Sequence, residues 1–206
     1  MAVFTLAVFS AFLCTAFGWR SWLQYRRTGD TGLRRPSRAF GPLEWLAWGL
    51  LLAGGAASYL AALLAAAGRL GPAELAQAPG ARLAGLVCLC AGFALTLAAQ
   101  LAMGASWRMG VDPAERTALV ERGLFAWIRN PIFSGMLLGL LGVALLVPHA
   151  LSFLGFAGFL AGVELQVRRV EEPYLRRAHG DAYRAYASRV GRFVPGLGRL
   201  RGARGA

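Results

Sequence analysis

Five runs of apolar residues, each near the length that crosses a lipid bilayer, constrain this 206-residue chain more than any other feature. They lie at 1–19, about 43–67, 83–103, 132–147 and 149–167. An α-helix needs ~20 apolar residues to cross the hydrocarbon core, and only helices and closed barrels satisfy the backbone inside it. Hydrophobic residues make up 57% of the chain and the mean hydropathy is +0.50. These observations describe an all-α, polytopic integral membrane protein of about five transmembrane helices. The last two runs form a C-terminal helical hairpin, and further helices follow on the cytoplasmic side. Residues 1–104 read as a three-span region and 105–206 as a second region packed with it into one structural unit, because no polar stretch is long enough to fold alone.

All 22 basic residues are arginines and the formal net charge is +12. A charge of that size raises nucleic acid as a partner, but its distribution argues against one. The arginines crowd short loops beside apolar runs, where topology and anionic membrane lipids account for them. Arg20, Arg26, Arg27, Arg34, Arg35 and Arg38 follow the first run, so the N-terminus is expected outside a plasma or inner cell membrane and the C-terminus in the cytoplasm. No basic segment precedes the first run and no A-x-A pattern follows it, which disfavours a cleaved signal peptide.

The second and third runs are rich in glycine and alanine, which lets helix backbones approach closely in lipid. The six tryptophans fall near run ends, and most are expected to be interfacial anchors. Cys14, Cys88 and Cys90 lie inside apolar runs. The last two, two residues apart, point to nearly opposite sides of a helix, so neither a metal site nor a disulfide framework is expected.

Chemistry concentrates in the second half. Asp112, Pro113 and Glu115 read as the capped start of a short helix ended by Gly123. Asn130-Pro131 marks a second helix start, with Arg129 beside it; free N–H groups and a guanidinium fork at one point suit an anionic ligand group. Glu171 and Glu172 open the continuation of the fifth run. Glu172 can pair with Arg176, and Glu164 with Arg168, four residues on. Adjacent helical residues diverge by about 100°, so one glutamate is expected at the surface and the other inward. His179-Gly180-Asp181 reads as a helix end and a new cap. Tyr183 and Tyr186 share the next helix face, and Phe193-Val194-Pro195 tucks back onto the site. His149, at the hairpin tip, is given no role.

In this order, Arg129-Asn130-Pro131-Ile132-Phe133, Glu171-Glu172-Pro173-Tyr174-Leu175 and Gly180-x-x-Tyr183-x-x-Tyr186, closing through Arg189 to Pro195, resemble the isoprenylcysteine carboxyl methyltransferase family and its relatives among phospholipid methyltransferases. The likeness covers roughly residues 105–197. It implies a membrane methyltransferase using S-adenosylmethionine on a lipophilic small molecule or lipid-anchored substrate, isoprenylcysteine carboxylate being one such acceptor. The implied cofactor contacts are Thr117, Ala118, Leu119, Val120, Phe125, Asn130, Pro131, Ile132, Phe133, Glu171 and Tyr183; the implied catalytic residues are Arg129, Glu171 and Arg168. Three positions depart from the family pattern: Asn130 stands for a histidine, Phe133 for a tyrosine, and Val167 for an arginine that Arg168, one residue on, replaces. Absence of a G-x-G-x-x-G turn excludes a Rossmann-type methyltransferase. Two other readings stay open: an NADPH-dependent membrane reductase related to sterol and steroid reductases, and a non-catalytic scaffold of the same fold.

Overall fold

Arg20 does not stop the first helix. Ala2–Leu13 (α1) passes through a π-helical stretch, Cys14–Trp19, into Arg20–Thr28 (α2), so 27 residues run as one rod. The rod ends where Gly29 takes φ 74°, a left-handed cap that glycine adopts without a Cβ penalty. Residue 19 therefore bounds the apolar stretch and not the helix. The structure, a computed structural model, describes residues 1–33, 41–70, 79–108 and 119–200. The expected helix start at Asp112 and the cofactor candidates Thr117 and Ala118 lie outside the described residues.

The helices that follow are Pro42–Ala66 (α3), Pro79–Ala102 (α4), Pro131–Leu146 (α5) and Ala150–Leu165 (α6). A second π-helical stretch, Gln166–Glu171, carries α6 into Glu172–Arg189 (α7). Ala2–Thr28, Pro42–Ala66, Gly80–Ala102 and Ala150–Arg189 are each long and apolar enough to cross a membrane. The expected fourth span, α5, has 16 residues and rises only about 24 Å. It is also well sheltered by protein, with nine of its residues buried. The fold is that of an all-α, polytopic integral membrane protein.

Two glycine seams hold the bundle. In one, α4 lies against α5; in the other, α3 lies against α6. A Cβ added at Gly92 would sit 2.2 Å from the Gly139 amide nitrogen, and one at Gly142 would sit 2.3 Å from that of Leu89. Gly54 has the same relation to Phe159, at 2.4 Å, and Gly155 meets the Ser58 hydroxyl at 2.5 Å. Contact between backbones replaces the hydrophobic drive that lipid removes. Gly92→Ala is therefore expected to cost about 1–3 kcal/mol by overpacking. Gly49→Ala, where nothing lies within 4 Å, is expected to be neutral. Thermal unfolding in detergent distinguishes them, and equal melting temperatures would contradict this account of the seam.

Alternation of the helices brings the ends of α2, α4 and α6 and the starts of α3 and α5 to one end of the bundle. Trp19, Trp22, Trp45 and Trp127 are exposed there, as expected of interfacial anchors. Trp107 is not one of the anchors. It is 2% exposed, with the Arg20 guanidinium 4.4 Å from its ring centroid. Arg20 Nη2 donates to Gly104 O at 2.6 Å and Gln24 Nε2 donates to Ala105 O at 2.7 Å. These bonds fix the turn after α4, and with it Trp107, against the first rod. Trp48 also departs from the anchor role, since it lines an internal cavity. At the opposite end, His149 caps α6, its Nδ1 accepting from Leu151 N at 3.1 Å.

Candidate functional site

Pro131 opens α5 at the first helical position, where its missing N–H is not needed. Asn130 occupies the cap position but makes no side-chain cap. Its backbone N and its Nδ2 both donate to Arg192 O, each at 3.1 Å. Arg129 N donates to Gly191 O at 2.8 Å, and Ser134 Oγ to Phe193 O at 2.7 Å. The stretch after α7 is thus laced across the start of α5, and Phe193-Val194-Pro195 returns as the sequence suggests. The amides of Ile132 and Phe133, in the first turn, have no intrahelical acceptor by position.

Arg129 is buried and its fork is occupied by protein. Nη1 donates to Ala187 O at 2.8 Å and Val190 O at 2.6 Å; Nη2 donates to Glu172 Oε1 at 2.8 Å and Gly198 O at 3.1 Å. Arg192 reaches the same carboxylate, Nε to Oε1 at 2.6 Å and Nη2 to Oε2 at 3.0 Å. Bonding to Glu172 raises the Arg192 guanidinium above its ordinary value, so it stays charged. Two expectations are corrected. Glu172 is the shared counter-charge of a buried Arg129–Glu172–Arg192 triad, not a surface partner of Arg176. Arg129 organises the C-terminal stretch and keeps only Nε free of a hydrogen bond.

The π-helical stretch supplies the physical reason. Residues five apart stack along a π-turn, whereas on an α-helix they diverge by about 140°. Gln166 therefore comes into line with Glu171, and Gln166 Nε2 donates to Glu171 Oε1 at 3.4 Å. Glu171 and Glu172 both reach the interior, on different neighbours. Among the described residues Glu171 has no ion-pair partner.

Between these elements lies a cavity of about 550 Å³. One end is polar, reached by Glu171, Glu172, Arg129 and the first turn of α5. The other end runs down among the helices, lined by Phe9, Phe12, Phe93, Phe159, Tyr59 and Met136. The rings of Phe12 and Phe93 stack there at 3.9 Å. Leu52 is two-thirds exposed on the outer face of α3 and still lines the cavity, so the apolar end opens sideways beside α3.

Of the residues singled out by the sequence, Leu119, Val120, Phe125 and Tyr183 line this cavity. Asn130, Pro131, Ile132, Phe133, Arg129 and Glu171 line it too. Arg168 does not. Its side chain is 53% exposed and paired with Glu164, so it stands outside the site as the spacing of that pair allowed. Tyr186, expected only to share a face with Tyr183, donates its hydroxyl to Phe125 O at 2.6 Å and so holds one wall. Gly180, at φ 53°, kinks α7 and turns that pair toward the interior.

Gln100, Gln166 and Trp48, which belong to none of the sequence motifs, also line the cavity. A glutamine such as Gln100 inside an apolar run is itself a signal, because a polar side chain at membrane depth needs a partner. Its Nε2 donates to Ala16 O at 3.2 Å, a carbonyl in the π-helical part of the first rod.

Residues 81–182 match the family model described as phospholipid methyltransferase. The match begins further upstream than the sequence motifs, in α4, and ends in α7 before Arg192. No curated protein and no solved structure matches the chain.

Proposed function

We propose, from the premise that the chain belongs to the phospholipid methyltransferase family, that this integral membrane methyltransferase uses S-adenosylmethionine to methylate a lipophilic or membrane-associated acceptor. The observation that carries the reading is one continuous cavity of about 550 Å³, polar at one end and lined by phenylalanines at the other. That volume is in the range of small-molecule sites. A water-soluble donor and a lipid-soluble acceptor can each enter from its own solvent and meet at the junction.

The polar end suits the donor. Its ammonium and sulfonium are cationic, and Glu171 is a cavity-facing carboxylate with no ion-pair partner among the described residues. Its carboxylate matches the free amides of Ile132 and Phe133, at the positive end of the α5 dipole. Leu119, Val120, Phe125 and Tyr183 offer apolar and aromatic walls for the nucleoside. Thr117 and Ala118 remain candidates by resemblance. When bound, S-adenosylmethionine supplies a methyl group activated on a positively charged sulfur. The protein's part is alignment and exclusion of water, which can account for a large share of a barrier of this kind.

The arginine distribution supports an orientation with the N-terminus outside and the polar end of the cavity on the cytoplasmic side. Membrane lipids are the surrounding solvent, and the sideways opening beside α3 gives a lipid-soluble acceptor its route. Equilibrium dialysis of radiolabelled S-adenosylmethionine against the full chain in lipid nanodiscs tests the proposal. Saturable binding that S-adenosylhomocysteine displaces and NADPH does not is expected. Displacement by NADPH, or no binding at all, overturns it.

A further inference from the structure

The apolar end of the cavity stops at one level on five helices. Its deepest lining residues are Phe9, Tyr59, Phe93, Leu140 and Phe159, and among the described residues the lining goes no further. One turn beyond, Thr5, Ala62, Leu89 and Val143 are fully buried, so the bundle is packed shut there. From Trp48, where the lining of α3 begins, to Tyr59 the helix rises about 16 Å. That is close to half of a hydrocarbon core of about 30 Å, the depth to which the chains of one leaflet reach.

Tyr59 is fastened at this level. Its hydroxyl and that of Ser10 on α1 share a hydrogen bond of 3.0 Å, and its ring meets that of Phe9 edge-on at 5.5 Å. Bonding across helices satisfies both hydroxyls where lipid offers them no partner. One turn nearer the polar end, α3 is bare. Trp48, Leu52, Gly55 and Tyr59 line the cavity at i, i+4, i+7 and i+11, which is one face of a helix. Gly55 stands in the middle of that face, where an added Cβ would meet nothing within 4 Å. Leu52 and Ala56 beside it are exposed and still line the cavity. By contrast, Gly54 and Ser58 are packed against α6. Thus α1 and α3 are joined at Tyr59 and parted at Gly55.

Burial alone cannot select a chain here, because lipid tails are as apolar as the cavity. A stop can. We infer that the acceptor is carried on a single hydrocarbon chain that enters beside Gly55, lies along the phenylalanines and ends against Tyr59. The Tyr59–Ser10 crossbar then sets the longest chain accepted. That this chain belongs to the methyl acceptor rests on the methyltransferase reading above; the chain site itself does not. Both helices of the crossbar, α1 and α3, lie outside residues 81–182, so the length limit belongs to this chain and not to the matched family segment.

The test uses the full chain in phosphatidylcholine nanodiscs and hexadecanol carrying a diazirine on its terminal carbon. After illumination, adducts are mapped by mass spectrometry. Label is expected on Phe9, Ser10 or Tyr59, and also on the exposed Leu63 and Val87, which serve as internal controls. Unlabelled hexadecanol should displace the label at the stop. Eicosanol should do so about tenfold less well, the size of effect that an overfilled pocket gives. Gly55→Phe should lower the label at the stop about tenfold with the controls unchanged. Tyr59→Ala should erase the difference between the two alcohols. Ser10→Ala, which frees the ring but keeps it, should narrow that difference and serves where Tyr59→Ala does not fold. No label at the stop, label there that Gly55→Phe leaves unchanged, equal displacement by the two alcohols, or a difference that both variants preserve overturns the inference. Failure to bind the donor overturns the methyltransferase reading and leaves the chain site standing.

Discussion

Arg129→Ala should remove the stable fold and not merely the activity. The substitution strands Glu172 in a buried position and orphans three carbonyls, those of Ala187, Val190 and Gly198. Breaking a buried pair by deleting one partner costs about 3–5 kcal/mol, a large fraction of the stability of a small domain. Arg129→Lys should not rescue it. One ammonium cannot present donors in the planar fork that four acceptors now share. Glu172→Gln should be nearly as severe, since it leaves Arg129 and Arg192 facing a neutral amide. Size-exclusion profiles and thermal unfolding in detergent read the effect directly. Folded Arg129→Ala with an unchanged melting temperature would show that the triad does not hold the C-terminal stretch in place.

The fold was legible where the signal is local. Apolar runs mark the helices because lipid demands them, and Asn130-Pro131 marks the start of α5 because the first helical position does not need the N–H that proline lacks. Gly180 was readable as a break, and the Glu164–Arg168 pair as a surface contact. The site was legible in outline, since Glu171, Arg129 and the first turn of α5 do come to one cavity. Its internal wiring was not. An α-helical ruler turns one of two adjacent glutamates outward, and nothing in Gln166–Glu171 announces a π-turn. Arg192, twenty residues from Glu172, completes the triad through a tertiary return that no spacing rule encodes. The burial of Trp107 was not legible either, because position along the chain shows the end of a run and not which face of the bundle a ring will meet.

Glu171→Gln should show the opposite profile: an intact protein with its chemistry gone. Glu171 has no ion pair among the described residues, and its one side-chain hydrogen bond, from Gln166 Nε2, is long at 3.4 Å. A glutamine keeps the shape and one acceptor oxygen, so the melting temperature should not move. What it removes is the carboxyl group that the proposed function sets against the cationic donor at the polar end of the cavity. Loss of a charged hydrogen-bond partner for the donor would weaken its binding about 10–100-fold. Methyl transfer at donor concentrations below saturation should therefore fall by about 10–100-fold at unchanged stability. Glu172→Gln should instead lose activity only in step with folded protein. The contrast separates two adjacent carboxylates by role. If both variants stayed folded and lost transfer equally, the division of labour imposed by the π-turn would be wrong. If Glu171→Gln stayed fully active, the cavity's free carboxylate would have no part in the chemistry.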